Sequence, residues 1–375
     1  MAGIYIHFPF CRQKCHYCNF YSTPSLRQKD EIIGMLHKEL LLRRHFTDEL
    51  IKTIYFGGGT PSLMTIDEIK SLIDTAGEKF IVDGTPEIAI EVNPDDINAQ
   101  KIREFKTSAI NRISIGVQSF FKNDLAYLNR IHTQGQAEYS VKALQDAGFT
   151  NLSIDLIFGM PTLNDENWKA NLVKAADMEI PHISAYAITV EPRTNLDVLI
   201  RKGKFQAVSD EDAARQFRII MNFLREKNYI HYEISNFCRT GYESKHNKSY
   251  WENDVYLGIG PSAHSFNRAT RFWNCSNIND YIASISKNRI PCESEDLSKD
   301  QQFNEYIMMS LRTHRGASLM DINRYFGEEY SSFFQKMMKK YENSDKTYIS
   351  EGIFRLTDEG KIFADSIIAD FFMVD

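Results

Sequence analysis

Three cysteines near the N-terminus, Cys11, Cys15 and Cys18, lie within eight residues in the stretch FPFCRQKCHYCNFYS. Six cysteines in a chain of 375 residues with no secretion signal do not indicate a disulfide framework, which is typical of small secreted domains. A structural zinc site takes four ligands, and His16 is the nearby candidate for the fourth. A [4Fe-4S] cluster held by three thiolates keeps one iron free for another molecule. The spacing therefore favours an iron-sulfur cluster, with zinc as the alternative.

Composition excludes some classes of protein. Hydrophobic residues make up 43% of the chain and charged residues 25%, as in ordinary globular proteins, and the net charge is -6. Lysine and arginine are scattered, so we expect no nucleic-acid partner. No apolar stretch approaches the length of a membrane span. We therefore expect a cytoplasmic protein that is not integral to the membrane. Binding to a membrane-bound acceptor protein would make its association with the membrane peripheral.

Six runs rich in β-branched and aromatic residues alternate with amphipathic helical stretches, and this alternation predicts a parallel sheet with helices outside it. The runs are 3–8, 53–58, 87–92, 112–117, 152–159 and 182–189, and the clearest helical stretches are 29–46, 65–80 and 134–148. Periodicity leaves open whether the sheet is flat or curls into a barrel. In both architectures the working groups lie at the carboxyl ends of the strands.

Polar residues and glycines follow those strand ends. The second run leads into GGGTP (57–61), where glycine lets backbone groups approach a ligand closely. This loop lacks the Lys-Ser/Thr pair of a phosphate loop, and on its own it is more typical of a flexible strand-to-helix turn than of a binding loop. The third run ends at Glu91, a potential acceptor for a ribose diol. The remaining candidates at strand ends are Gln118, Asp155 and Ala187, and Arg130 follows one helix after the fourth run.

The pattern C-x3-C-x2-C and the residues that follow resemble the radical S-adenosylmethionine superfamily. The resemblance covers about residues 3 to 265 and implies a partial (β/α)6 barrel. In that family the open iron of the cluster binds S-adenosyl-L-methionine, whose cleavage yields a 5'-deoxyadenosyl radical. The resemblance also implies that the cofactor's methionine end meets Gly58, Gly59 and Thr60. Its other implied neighbours are Tyr5, Tyr17, Glu91, Gln118, Arg130, Asp155 and Ala187.

Two groups within the coproporphyrinogen-dehydrogenase-like branch are similar to this chain. The dehydrogenases, or oxygen-independent coproporphyrinogen III oxidases, carry a further cysteine where this chain has Phe20. The segment SKHNKSYW instead matches the H-N-x-x-Y-W motif of the HemW-type haem chaperones, which bind haem and pass it to haem-accepting proteins. The resemblance therefore implies a haem carrier with an electron donor for its cluster, and the oxidase is the alternative. The motif residues are His246, Asn247, Tyr250 and Trp251.

The iron ligand of that haem stays open at this level. Imidazole is a common axial ligand and aromatic faces suit a macrocycle, but a lone histidine is more often a buried, hydrogen-bonded residue. The competitors of His246 are His231, His264 and Cys238. The nearby segment LGIGPSAHSF (257–266) is interpreted as another glycine-rich turn.

A polar segment at 285–300 predicts a boundary between a barrel domain with the haem-site extension (1–285) and a C-terminal domain (295–375). The second domain shows three helical stretches (301–313, 318–326 and 330–343), a hairpin turning at Gly352 and a terminal helix (358–372). This arrangement resembles a winged helix. We interpret the domain as a lid or docking surface rather than a DNA-binding module, since fold does not dictate function.

Overall fold

The computed structural model describes residues 1–374. Its centre is a set of six parallel strands that pair in chain order, which confirms the predicted α/β barrel-type fold. The strands are β1 (Ala2–Phe8), β2 (Ile51–Gly58), β3 (Val82–Val92), β4 (Arg112–Gln118), β5 (Leu152–Phe158) and β6 (His182–Ala187). The side chains of β1 and β5 are buried almost throughout, as expected for strands covered on both faces.

Helices connect these strands on the outside of the sheet. They are α1 (Lys29–Leu42), α2 (Ile66–Lys79), α3 (Ala99–Lys106), α4 (Lys122–Tyr127), α5 (Gln134–Asp146) and α6 (Asp165–Asp177), followed after β6 by α7 (Asn195–Arg201) and α8 (Asp210–Glu226). Local chemistry defines where several begin. Thr65 and Glu68 form a capping box at the start of α2, and Thr133 and Gln136 form one at α5.

Further elements extend both edges of the sheet. They are β7 (Ile230–Glu233), β8 (Asn236–Cys238), α9 (Lys245–Trp251), β9 (Val255–Ile259), β10 (His264–Phe266), β11 (Thr270–Asn274), α10 (Ile278–Ser286) and β12 (Cys292–Asp296). The twelve strands run in the order β12-β11-β10-β9-β1-β2-β3-β4-β5-β6-β8-β7. Within residues 1–374 no pairing joins the outer edges, β12 and β7, so the barrel is partial.

The interpretation of 257–266 as a turn is wrong in one respect. Residues 255–259 form β9, which pairs in parallel with β1, opposing Tyr5 with Gly258. Glycine is required there because a Cβ on Gly258 would lie 2.1 Å from the carbonyl oxygen of His264. The glycines of this segment thus allow close backbone approach within a strand. The polar interval in which the domain boundary was predicted (285–300) also contains a strand, β12, which pairs with β11.

The C-terminal part has its own hydrophobic core, centred on Phe303, Phe334, Phe354 and Phe371. Its elements are α11 (Lys299–Leu311), β13 (Ala317–Ser318), α12 (Leu319–Phe326), α13 (Glu328–Lys340), β14 (Thr347–Ser350), β15 (Ile353–Leu356), α14 (Asp358–Ile362) and α15 (Ala364–Asp370). Glu351 and Gly352 turn the hairpin with positive φ at both positions, the geometry of a type I′ turn.

Two details of this part differ from the predictions. The terminal helix is divided into α14 and α15, which meet at Phe363. The small antiparallel sheet has a third strand, because β13 pairs with β15. None of the helices in residues 1–374 combines the length and the apolar composition needed to cross a membrane.

Candidate functional site

The cysteine loop leaves the carboxyl end of β1 and is secured to its own return segment. The amide of Cys11 donates to the carbonyl of Thr23 over 3.0 Å, and Phe10 is fully buried beneath the loop. Phe20 is 64% exposed and lines the cavity that opens beside the cysteine loop at the carboxyl ends of the strands. The position at which the dehydrogenases carry another cysteine is therefore occupied here by an exposed ring that offers no ligand.

Arg130 is the charged partner of this loop. Its Nη1 lies 3.3 Å from Sγ of Cys15, and its Nη2 donates to Oδ1 of Asn93 at 2.6 Å and to the carbonyl of Gly116 at 2.8 Å. Burial raises the pKa of Cys18 to about 11. A bound metal reverses that tendency because a coordinating thiol is deprotonated. The Arg130 guanidinium is positioned to stabilise the thiolate of Cys15 in the same way.

The glycine loop after β2 packs directly on the cysteine segment. The amide of Gly59 donates to the carbonyl of Phe8 at 2.8 Å, and that of Thr60 donates to the carbonyl of Phe10 at 2.7 Å. A Cβ on Gly59 would lie 2.5 Å from that same Phe10 oxygen, and Gly58 adopts φ of 103° against the His7 ring. Side chains at these positions would separate the two loops.

Two partly buried carboxyl groups, Glu91 and Asp155, line the same space inside the barrel. Tyr55 donates a hydrogen bond of 2.8 Å to Glu91, and Ser114 donates one of 3.2 Å to Asp155. Burial raises the pKa of Glu91 to about 7 and that of Asp155 to about 6. Charge repulsion from Asp155 adds to the rise at Glu91, and the hydrogen bonds from Tyr55 and Ser114 oppose the two shifts. Both are placed to accept hydrogen bonds from ligand hydroxyl groups.

A cavity of about 400 Å³ brings most of the predicted residues together at the carboxyl ends of the strands. Gln118 reaches it from a bulge in β4 with φ of 66°, a left-handed conformation held by the surrounding sheet. The predicted residues that line the cavity are Cys11, Cys15, Tyr17, Cys18, Gly58, Gly59, Thr60, Glu91, Gln118, Arg130, Asp155 and Ala187.

Tyr5 is the predicted cofactor neighbour that lies outside this cavity wall. Its hydroxyl pairs with Nδ1 of His7 at 3.0 Å, and its ring stacks on Tyr55 at 6.1 Å between centroids. Sequence reasoning missed Asn93, which orients Arg130, and Tyr55, which binds Glu91. Asn93 lies two residues after Glu91 in EVNP, so its position at a strand end could have identified it. Tyr55 lies within a strand run, and nothing in the sequence distinguishes it from other strand residues.

The motif helix α9 lies at the opposite, amino-terminal end of the strands. His246 is 1% exposed, its Nδ1 pairs with Oγ1 of Thr53 at 2.7 Å, and its Nε2 pairs with the hydroxyl of Tyr250 at 2.9 Å. Its ring stacks on Tyr55 with centroids 4.9 Å apart, and burial lowers its pKa to about 3. Both nitrogens have partners, so neither is free for iron in this arrangement.

The other motif residues line separate small cavities. Asn247 faces a polar space of about 50 Å³ inside the barrel, and Tyr250 and Trp251 face one of about 180 Å³ against α11. Among the competing ligands, Cys238 is fully buried and His231 stacks on Phe237 at 4.1 Å. His264 is exposed at the start of β10.

The donor set of the main cavity fits an iron-sulfur cluster better than zinc. Within residues 1–374 no three His, Cys, Asp or Glu side chains lie close enough to share one metal ion, whereas a four-iron cluster binds each thiolate through a different iron. The zinc alternative relied on His16, whose Nδ1 pairs with the carbonyl of Tyr127 at 2.9 Å and whose ring packs on Phe205. The glycine loop beside the thiols keeps a backbone surface accessible to a ligand.

Comparison with known proteins defines the class. Residues 5–173 match the Radical SAM superfamily, and residues 297–363 match the HemN C-terminal domain. The structure of coproporphyrinogen III oxidase (HemN) from Escherichia coli has a similar fold, with a TM-score of 0.85 and 21% identity, covering 99% of this chain and 90% of that chain. The fold and the cysteine site therefore define a radical SAM protein.

Relatives with similar amino-acid sequences show to which family of radical SAM proteins the chain belongs. The chain is 32% identical to the heme chaperone HemW of Bacillus subtilis over 99% of both chains. It is 32% identical to that of Lactococcus lactis over 99% of this chain and 97% of the relative, and 30% identical to that of Mycobacterium tuberculosis over 98% and 93%. The chain belongs to the family of the heme chaperone HemW.

Proposed function

We propose that this protein is a haem chaperone that binds a [4Fe-4S] cluster, S-adenosyl-L-methionine and haem, and delivers haem to acceptor proteins. The observation that carries the proposal is the similarity to heme chaperones over nearly the whole chain. The Phe20 position supports it, because the fourth cysteine that distinguishes the dehydrogenases is absent from this loop.

Different residues of the cavity would bind the cluster and the methionine end of the cofactor. Cys11, Cys15 and Cys18 would hold the cluster as thiolates, with Arg130 beside Cys15. When bound, the cluster supplies an open iron for the cofactor's methionine end and one electron from a partner donor. The loop at Gly58–Thr60 presents backbone groups to that same end. The fully buried Phe10 beneath the cysteine loop would limit the access of water from that side and thereby influence the cluster's potential.

The nucleoside end of the cofactor would meet the inner wall of the barrel. Glu91 and Asp155 accept from its hydroxyl groups, and the cavity volume of about 400 Å³ lies in the range of roughly 300 to 1,000 Å³ usual for small-molecule sites. Tyr55 and Ser114 hold the two carboxyl groups in place through the hydrogen bonds described above. The oxidase alternative uses the same cavity, so cofactor binding alone does not separate the two functions.

The decisive experiment is anaerobic reconstitution with iron and sulfide, followed by haemin titration from the Soret region to the visible. We expect cluster absorbance, saturable haem binding near one equivalent and transfer to a haem-depleted acceptor. Cys11→Ala should remove the cluster absorbance, and Cys275→Ala, outside the cavity, is the matched control. Turnover of coproporphyrinogen III to protoporphyrinogen without saturable haem binding would replace the proposal with the oxidase function.

A further inference from the structure

The helix α4 ends in a left-handed turn at Asn129, one residue before Arg130. The amide of Asn129 donates to the carbonyl of Ala126 at 3.1 Å, and that of Arg130 donates to the carbonyl of Leu125 at 2.8 Å, which is the Schellman pattern of helix termination. Asn129 has φ of 60°, a conformation in which glycine is the usual residue. Glycine would satisfy this backbone equally well, so the turn alone does not account for the asparagine.

The Asn129 side chain binds the segment between Cys11 and Cys15. Its Nδ2 donates to the carbonyl of Lys14 at 2.8 Å, and its Oδ1 accepts from Nε2 of Gln13 at 2.8 Å. The same Gln13 nitrogen also lies 3.0 Å from the carbonyl oxygen of Asn129. The side-chain amide therefore uses one donor and one acceptor on two consecutive residues of the cysteine loop.

The segment that Asn129 holds has no regular secondary structure of its own. Within the described residues 1–374, no helix or strand lies between the end of β1 and the start of α1. The hydrogen bond from the amide of Cys18 to the carbonyl of Cys15 is long, at 3.4 Å. Such a loop has to be ordered by contacts from elsewhere before three thiolates converge on one cluster, because ordering each residue costs conformational entropy.

The same turn also holds the sulfur of Cys15 and the residue after it. Nη1 of Arg130 lies 3.3 Å from Sγ of Cys15, and the amide of His16 donates to the carbonyl of Leu128 at 3.1 Å. Together with the bonds of Asn129 to the two preceding residues, these contacts hold Cys15 from both directions along the chain. Cys15 is thus the thiol whose position this turn determines.

We infer that Asn129 is a positioning residue of the cluster site, whose side-chain amide fixes Gln13 and Lys14 so that Cys15 is oriented before the cluster binds. This inference rests on the proposed function, because it assumes that the three cysteines hold a [4Fe-4S] cluster. A loop ordered in advance loses less conformational entropy on binding. Removing the Asn129 side chain should therefore loosen the apo loop and shorten the lifetime of the bound cluster.

The chain offers a matched control for the backbone motif. Asn288 ends α10 with the same pattern, since its φ is 59°, its amide donates to the carbonyl of Ile285 at 3.0 Å, and the amide of Arg289 donates to the carbonyl of Ser284 at 3.0 Å. Asn288 is exposed and lies outside the cofactor cavity. Asn288→Gly therefore reports the effect of replacing asparagine in this kind of turn, without the contacts to the cysteine loop.

The first measurement uses the full chain without its cluster. Trypsin cuts after arginine and lysine, and the exposed Arg12 and the half-buried Lys14 lie in the segment next to Asn129. Because cleavage follows the population of the opened loop, Asn129→Gly should be cut there about tenfold faster than the parent, the effect expected for the loss of two hydrogen bonds. Asn288→Gly should be cut there at the parent rate.

The second measurement uses the reconstituted full chain and the rate at which an iron chelator bleaches its cluster absorbance. Asn129→Gly should lose its cluster about tenfold faster than the parent, and Asn288→Gly should match the parent. Gln13→Ala should have a smaller effect in the Asn129→Gly background than in the parent, because the two side chains share one hydrogen bond. The reduction potential of the cluster should fall in Asn129→Gly, since Arg130 loses its fixed contact with the Cys15 sulfur.

The failure of this inference is distinguishable from that of the proposed function. If the parent assembles no cluster, the proposed function fails and the inference fails with it. If the parent assembles its cluster and Asn129→Gly retains it for as long, the inference alone is wrong. A thermal midpoint of the apo chain that is lower in Asn129→Gly than in Asn288→Gly would also overturn the inference, because it would assign Asn129 to overall stability.

Discussion

Replacing Tyr55 by phenylalanine tests whether Glu91 binds the nucleoside as an ionised carboxylate. Tyr55 donates a hydrogen bond of 2.8 Å to Glu91, and this bond favours the charged form of an acid whose pKa burial has raised to about 7. A raised pKa means that the ionised form, and with it the acceptor for ligand hydroxyls, is lost as the pH falls through about 7. Removing the donor should move that loss to higher pH.

The expected size follows from the strength of the bond. A hydrogen bond to a charged group contributes about 1.5 kcal/mol, and one pKa unit corresponds to about 1.4 kcal/mol, so the pKa of Glu91 should rise by about one unit. At about pH 7 the ionised fraction then falls from about one half to about one tenth. Affinity for S-adenosyl-L-methionine should weaken about fivefold at that pH and return toward the parent value above about pH 9.

The assay is calorimetric titration of the reconstituted protein with S-adenosyl-L-methionine at several pH values between about 6 and 9. Tyr229→Phe is the matched control, because its hydroxyl is also buried but donates to the backbone of Ile180. A loss of affinity that is the same at every pH would refute the reasoning, since it would show that Tyr55 acts through packing rather than through the charge of Glu91.

Three other substitutions have defined outcomes. Gly59→Ala should prevent cluster assembly, because its Cβ would lie 2.5 Å from the Phe10 carbonyl oxygen. Cluster absorbance after reconstitution measures this. The control Gly84→Ala, whose Cβ meets open space, should assemble its cluster normally. His246→Ala should destabilise the barrel by about 3 kcal/mol, because Thr53 and Tyr250 lose their partner and a void opens; an unchanged thermal midpoint would contradict this. Glu39→Gln should lower the free energy of unfolding by about 3 kcal/mol, since it leaves buried Arg43 without its anionic partner. Thermal unfolding measures this loss, and Glu78→Gln on an exposed surface is the control.

Much of the barrel was accessible from the sequence because its signals are local. Strand runs and helical periodicity depend on neighbours two to four residues apart, and capping pairs such as Thr65 and Glu68 lie within one turn. Five of the six parallel strands were therefore predicted to within two residues of their observed bounds, whereas β3 begins at Val82 rather than at the predicted residue 87. The strand-end candidates Glu91, Gln118, Asp155 and Ala187 followed from one topological rule, since parallel strands bring their carboxyl ends to the same edge. Tyr17 was predicted only because the family resemblance implied it.

The missed elements depend on contacts between distant parts of the chain. The pairing of β9 with β1 joins Ala2 to Val255, and no local pattern distinguishes a short glycine-containing strand from a turn. The position of Tyr5 behind the cavity wall was hidden for a similar reason. A strand pattern shows which residues share a face, but the depth of a residue inside the barrel depends on how all the strands curve together.

The amino-acid sequence by itself determined the three thiols, the glycine loop and the order of strands and helices, because covalent spacing and short-range periodicity specify them. The tertiary structure alone decided that α9 closes the end of the barrel opposite the cysteines, with His246 between Thr53 and Tyr250. It also decided that Phe217 and Phe363, 146 positions apart, line one cavity. Packing of the whole chain creates such sites, since burial brings together side chains that no local pattern relates.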